Sequence, residues 1–255
     1  MSRHAFLLSF AIAIMVLFHF GARAQEQEYV IGVEDVNYYP LFNFNREQMR
    51  QPSFAFDILT AFFEHKNYKY RFVALPIKRF DKWFIDHNID FKFPDNMRWR
   101  SDGGASLNLT FSDPVLTLMA GTYVLKPNAQ IEKSRVQSLM TIRDFHPTLW
   151  LEEINQGQVT LHEERSPVGI IRHMLSQNVQ ATNIDSNVIR YQLQKMNKQG
   201  QIVLAKNIFH EQYTYHLSTN THAEIIYEFN AFIKQERELI ESLKKKYQIK
   251  EEWDE

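Results

Sequence analysis

Between Tyr29 and Pro94 the chain alternates strand-like and helix-like hydrophobic patterns, and this alternation restricts the fold more than any other feature. A short apolar run at Tyr29 to Val33 leads, through the aromatic loop "NYYPLFNF", to a stripe in which Phe54, Ile58, Leu59, Phe62 and Phe63 share one helical face. Pro52 and the N-cap candidate Ser53 mark where that helix starts. Tyr68 to Leu75 then alternates polar and apolar residues, Pro76 opens a second stripe through Ile77, Phe80, Trp83 and Phe84, and "NIDFKFP" reads as a third strand. Strand, helix, strand, helix, strand in that order argues for a parallel sheet covered by helices.

The order resumes past Pro127 at Ser166-Pro167, an N-cap with proline at the first helical position, followed by a stripe of Ile170, Ile171, Met174 and Leu175. "VQATNI" reads as a strand, and Asp185-Ser186 opens a helix through Val188, Ile189, Leu193 and Met196. "QIVLA" and "YTYHL" are two more strands. A long closing helix carries Ile225, Ile226, Phe229, Phe232, Ile233, Leu239, Ile240 and Leu243, and its charged remainder reads as a solvated face. "TFSDPVLTLMAGTYVLK", residues 110–126, reads as one apolar, β-branched strand that nothing ends before Lys126 and Pro127. Periodicity leaves two readings open: a link between two bodies, or a buried strand of a single sheet.

The N-terminus bounds the setting. "MSRHAFLLSFAIAIMVLFHFGARAQ" opens with Arg3, has no acid before Glu26 and ends in the small-residue pattern Ala22-Arg23-Ala24, which predicts a secretory signal peptide over 1–24. Its apolar run, Ala5 to Phe20, is shorter than the roughly 20 residues a membrane span needs. Removal of the leader leaves 27 basic against 30 acidic side chains, a balance that argues against a nucleic-acid partner. The chain has no cysteine, which excludes disulfides, thiol catalysis, cysteine zinc sites and a lipid-bearing cysteine. The expected mature protein is therefore free in a periplasm, without a membrane anchor. No Ser/Gly linker or internal repeat divides it.

Several stretches resemble, in order, the family 3 extracellular solute-binding proteins, periplasmic receptors that deliver amino acids and similar solutes to ABC importers. "YVIGVEDVNYYPLFNF" is similar to the opening strand and aromatic-proline loop of that family, "FAFDILTAFFEHKNYKYRFVALP" to its first helix and second strand, and "TFSDPV" to its Phe-Ser-Asp-Pro-Tyr signature, with Val115 in place of Tyr. "VQATNIDSNVIRYQL" resembles the segment in which the family places Val-Asp-Ala and then an Asp opening a helix. The resemblance implies an α/β, two-lobed, type II periplasmic-binding-protein-like fold. Lobe one would hold residues 25–117 plus 211–255 and lobe two residues 118–210. "VLTLMAGTYVLK" and "NIFHEQYTYHL" would be the two hinge crossings, with Gly121 as a pivot. The implied partners are a small solute and an inner-membrane ABC permease or a sensor protein; a monomer with no cofactor is expected.

A solute would bind between the lobes, where a few polar groups converge among apolar walls. Tyr38, Tyr39, Phe42 and Phe44 could stack on a ligand or lie over a cation; two of the four belong to the core, and Tyr39 and Phe42 are the expected aromatic wall. Arg98 and Arg100 could each grip a carboxylate through two parallel hydrogen bonds, or pair with Asp95 or Asp102. The family's Thr three residues before such an Arg is missing here, so the resemblance does not carry over a carboxylate ligand. Asn96 and Trp99 would complete that wall. Ser112 offers either a hydroxyl to a ligand or a bond to its own turn. Asp185 stands where the family places the acid for a ligand's ammonium, or else caps the helix that follows.

An enzyme is the rival from another class. Glu152-Glu153 and Glu163-Glu164 supply carboxylates, but adjacent residues point apart, and no zinc-protease, nucleophile-elbow or phosphate-loop motif is present. No catalytic residue is assigned. The histidines lack metal-ligand spacing, so no metal is expected.

Overall fold

A computed structural model describes residues 27–44, 52–100 and 105–251. The signal peptide expected at 1–24 lies outside the described residues, as does Asp102.

The chain runs through β1 (Glu28–Glu34), a small hairpin of β2 (Asn37–Tyr38) and β3 (Phe42–Asn43), helix α1 (Phe54–His65), β4 (Lys69–Leu75), helix α2 (Phe80–Ile85) and β5 (Phe91–Asp95). β1 lies between β4 and β5 and is parallel to both, with Val33 opposite Ala74 and Phe93. The Ser53 hydroxyl accepts from the Phe56 N–H and caps α1, whose stripe Phe54, Ile58, Leu59, Phe62 and Phe63 is fully buried. Burial of each such side chain is worth about 1.5–3 kcal/mol, so packing on the sheet holds α1 more than helix propensity does.

The apolar run at 110–126 is three strands and not one: β6 (Thr110–Phe111), β7 (Leu116–Ala120) and β8 (Tyr123–Leu125). Its first break has a local cause. The Ser112 hydroxyl donates to the Asp113 carbonyl and accepts from the Leu217 N–H, and Pro114 has no N–H with which to continue a ladder. Its second break falls at Gly121 and Thr122. The remaining elements are β9 (Ser138–Ile142), α3 (Leu151–Asn155), β10 (Thr160–Glu164), α4 (Pro167–Leu175), β11 (Ala181–Thr182), α5 (Ser186–Lys195), β12 (Ile202–Leu204), β13 (Glu211–Thr219), α6 (Ala223–Gln235) and α7 (Arg237–Lys246).

Two sheets result. The first has the order β4-β1-β5-β13-β6, and the second β10-β9-β11-β8-β12, with β10, β9 and β11 parallel. β13 belongs to both the first sheet and the link: Glu211 to Tyr215 pair antiparallel with Ala120 to Leu116 of β7, and Ser218 and Thr219 pair with β6. Two extended strands thus lie side by side between the sheets. An apolar cluster continues along them, from Ile31 and Phe93 through Leu116 and Leu118 to Ile142 and Ile170.

The single closing helix expected from the stripe is broken at Glu236 (φ −96°, ψ 36°). The bend turns α7 back onto α1, where Lys246 Nζ and the Tyr247 hydroxyl each reach Asp57 Oδ2 at 2.7 Å. Ile240 and Leu243 are then buried, which a straight continuation past the sheet would not achieve. Among the described residues no helix is long and apolar enough to cross a membrane.

Candidate functional site

In open α/β sheets ligands bind beyond the carboxyl ends of the parallel strands. Here those ends face each other. β1 ends at Glu34 and β5 at Asp95, while the loops after β9 and β11 bring Asp144, Phe145 and Asn183 to the opposite side. Between them lies a cavity of about 270 Å3, floored by Ala120, Tyr213 and Tyr215 of the two linking strands and by Gly121 just past the end of β7. The walls touch at several points. Lys78 Nζ is 2.5 Å from Asp144 Oδ1, the Tyr38 and Phe145 rings lie 5.2 Å apart, and the Asp185 N–H donates to the Tyr38 hydroxyl at 2.7 Å. Asp144 holds a left-handed backbone (φ 67°), and its N–H donates to Glu163. A non-glycine residue in that region costs of order 1–3 kcal/mol, so the surrounding contacts hold it there.

A charged network organises the first wall. Asp95 is fully buried; its Oδ1 accepts from Lys92 Nζ at 3.0 Å, Arg100 Nη1 at 2.7 Å and the Asn96 N–H at 2.9 Å, and its Oδ2 accepts from the Ser218 hydroxyl at 2.6 Å. Burial alone would raise its pKa, but Lys92 and Arg100 outweigh that and hold it below the ordinary value. Burial would likewise lower Arg100, yet Asp95 and Asp81 raise it. Lys92 Nζ also lies over the Phe80 and Trp99 rings, at 4.7 and 5.4 Å from their centroids. Glu34 differs. It is 3% exposed, burial pushes it up to about 7 against the pull of Lys92, and among the described residues nothing hydrogen-bonds its carboxylate.

Asn96, Arg98, Trp99 and Arg100, four of the residues expected at a ligand, are together in this cavity. Neither guanidinium is free. Arg100 binds Asp95 and Asp81, and Arg98 binds Glu211 of β13. The Asn96 amide donates to the Thr214 carbonyl at 2.7 Å, and its oxygen accepts from the Arg98 N–H. The other four lie off the cavity. Phe42 is 0% exposed in the core, with the Tyr38 ring tilted against it at 5.1 Å. Tyr39 packs on Tyr191 and Tyr247 in a separate groove. Successive residues of a strand face opposite sides, and the pairing of Tyr38 with Phe42 turns Tyr38, not Tyr39, to the cavity. Ser112 is buried in its turn. Asp185 is 2% exposed and caps α5, accepting from the Asn187 N–H at 2.7 Å, from Asn187 Nδ2 at 3.0 Å and from the Tyr213 hydroxyl at 3.2 Å. Burial raises its pKa, with those donors opposing.

Glu34, Lys92 and Tyr215 are cavity residues that pattern reading missed, and Tyr38 takes the place expected of Tyr39. The usable signal was positional: Glu34 is an acid closing an apolar strand, at the end of the sheet where crevices form. Gly121 sits at the second break for a packing reason: a Cβ there would come within 2.5 Å of Leu204 Cδ1.

No protein-family model matches the chain, and no curated protein matches it in sequence. Solved structures do. A mutant of the arginine-binding protein ArgBP from T. maritima superposes with TM-score 0.67 at 12% identity, covering 88% of this chain and 96% of that one. A histidine kinase sensor domain with similarity to periplasmic binding proteins gives 0.70 at 12%, covering 88% and 97%. The ancestral amino-acid-binding protein AncCDT-1, a precursor of cyclohexadienyl dehydratase, gives 0.65 at 16%, covering 86% and 95%. Likeness at this level of identity speaks for architecture: the chain has the α/β, two-lobed periplasmic-binding-protein-like fold.

Proposed function

We propose that the chain is an exported receptor that closes two lobes around a small polar solute, an amino acid or a related compound, for an ABC importer. The observation that carries this is the cavity of about 270 Å3 walled by both sheets and floored by the two strands that join them. In this reading lobe one is 25–117 plus 211–255, lobe two is 118–210, and β7 and β13 are the hinge. Rotation about two extended strands needs only a few backbone changes, and a solute drives it by binding the closed form better than the open one. Trp99, Tyr38 and Tyr215 would form the wall the solute packs on, with Asn96 and Asp185 holding that wall. Arg98 and Arg100 would reach a solute only by leaving their carboxylates. The likeness to ArgBP supports a nitrogen-bearing solute.

A second reading keeps the fold and replaces the importer with a sensor protein; the likeness to a histidine kinase sensor domain favours it. We infer binding and not catalysis, although AncCDT-1 precedes a dehydratase. Glu152, Glu153, Glu163 and Glu164, the acids an enzyme reading would use, lie outside the cavity lining. The receptor would act as a monomer in the periplasm, without a cofactor or anchor, after cleavage behind Ala24; N-terminal sequencing of secreted protein should then start at Gln25.

Thermal-shift screening against amino acids, polyamines, sugars and organic acids tests the reading. A solute at a hundred times its Kd adds about 2.7 kcal/mol, or roughly 5–10 °C in Tm for a chain of this size. If no solute moves Tm and none compacts the protein in small-angle scattering, the receptor reading is wrong.

A further inference from the structure

The cavity is short of one positive charge. Four cations line it, and each is bonded to a carboxylate: Lys78 to Asp144, Lys92 to Asp95, Arg98 to Glu211, and Arg100 to Asp95 and Asp81. Glu34 is the acid left over. Its carboxylate is buried and bonded to nothing among the described residues, although an ionised carboxylate can accept several hydrogen bonds. Unpaired buried acceptors are uncommon and costly, and an acid that lines the cavity with no donor of its own asks for a donor-bearing occupant.

We propose that the cleft takes its solute by a cationic nitrogen, an ammonium or guanidinium, seated on the Glu34 carboxylate, and that a ligand carboxylate is not what it recognises. This rests on the receptor reading above and narrows its solute to organic cations such as amines and guanidines. The aromatic faces of Tyr38, Trp99 and Tyr215 suit the same class, since a cation over a ring gains where an anion does not. Both arginines that could grip a carboxylate are already paired, Arg98 with Glu211 and Arg100 with Asp95 and Asp81.

Seating a cation on Glu34 is coupled to proton release. The groups facing Glu34 are Lys92 and Asp95 from β5, Tyr38 from the hairpin and Tyr215 from β13, with His146 across the cavity. Of the neighbours that act on it, Lys92 is the only cation and is committed to Asp95, so the empty site keeps its proton up to about pH 7. A bound cation would hold it ionised. Affinity should therefore fall tenfold per pH unit below that point, with close to one proton released per ligand at about pH 6.

Isothermal titration of the purified full chain with agmatine, putrescine and arginine, in buffers of differing ionisation enthalpy, tests this; glutamate, citrate and glucose serve as comparisons. At least one amine or guanidine should bind, with the proton release and pH slope above. Glu34→Gln, which keeps shape and fold, should weaken it about a hundredfold and flatten the slope. Equal binding by Glu34→Gln, or binding without proton release, overturns the proposal. Binding of an anionic or neutral solute while every amine fails also overturns it but leaves the receptor reading standing. Failure of every probe here and in the wider thermal screen removes both.

Discussion

Asp95→Asn is the sharpest test of the buried network. Asp95 has no exposed surface, and the side chains of its two cationic partners are only 5% (Lys92) and 9% (Arg100) exposed. Asparagine has the same shape, so the change deletes charge without opening a cavity. It leaves Lys92 without its carboxylate and Arg100 with Asp81 alone among the described residues, and Asp81 is 60% exposed. Breaking a buried pair from one side costs about 3–5 kcal/mol, much of it the penalty of an uncompensated charge. For a chain of this size that is roughly 6–20 °C in Tm. Lys92→Met should cost less, because Asp95 keeps Arg100, Ser218 and the Asn96 N–H. The wild type should carry an acid limb that the variant lacks. Asp95 is held below its ordinary 3.8, so its contribution is complete above that pH and is lost as pH falls through the lower folded value. Urea unfolding from pH 2 to 7 reads both effects. An Asp95→Asn protein within about 1 kcal/mol of wild type at pH 7 would refute the argument, because two stranded buried cations cannot be that cheap.

Three further outcomes follow from the same contacts. Glu34 works in the opposite sense: its folded value of about 7 lies above the ordinary 4.5, so the ligand-free protein should lose about 3 kcal/mol as pH rises from about 4.5 to 7, and Glu34→Gln should remove that slope in chemical unfolding. Tyr38→Phe removes the acceptor of the buried Asp185 N–H and should cost about 1–3 kcal/mol by urea midpoint; no loss would mean that the N–H finds another partner. Gly121→Ala drives a methyl to 2.5 Å from Leu204 Cδ1, and Leu204 is 4% exposed, so overpacking of about 1–3 kcal/mol is expected in the same assay, relieved by Leu204→Ala in the double variant.

The strands and helices were largely legible because their determinants are local. Ser53, Ser166 and Asp185 cap the helices they were expected to open, and the stripes at Phe54, Ile170 and Val188 are buried as spaced. What eluded pattern reading depends on contacts distant in sequence. The run at 110–126 could not be divided, because Ser112 leaves the strand for the Leu217 N–H, 105 residues on. Tyr38 could not be told from Tyr39, because which of two adjacent rings faces a cavity is set by a two-residue hairpin pairing. The arginines were legible as cations near a cleft. Their engagement was not, since Glu211 approaches Arg98 only where β13 runs beside β7.

The C-terminal segment adds a constraint that two linking strands alone would not impose. The Lys250 N–H donates to Asn187 Oδ1 at 2.7 Å and the Asn187 amide donates to the Lys250 carbonyl at 3.1 Å, while Glu251 accepts from the Thr117 N–H of β7 at 2.7 Å and from Lys244 at 2.7 Å. The tail therefore ties α5, beside the second sheet, to α7 and to β7, on the side of Tyr39 and not of the cavity. Asn187 follows directly on the cap that Asp185 makes, and Asp185 is held by Tyr38 and Tyr213, a cavity-wall and a floor residue. Any rotation of one sheet against the other must move α5 relative to α7, and so must act on these bonds and on the Tyr38 contact together. The order Tyr38, Asp185, Asn187, Lys250 is a continuous chain of hydrogen bonds from the cavity wall to the back of the molecule. In the receptor proposed above, such a chain would make opening of the cleft and release of the tail parts of one motion.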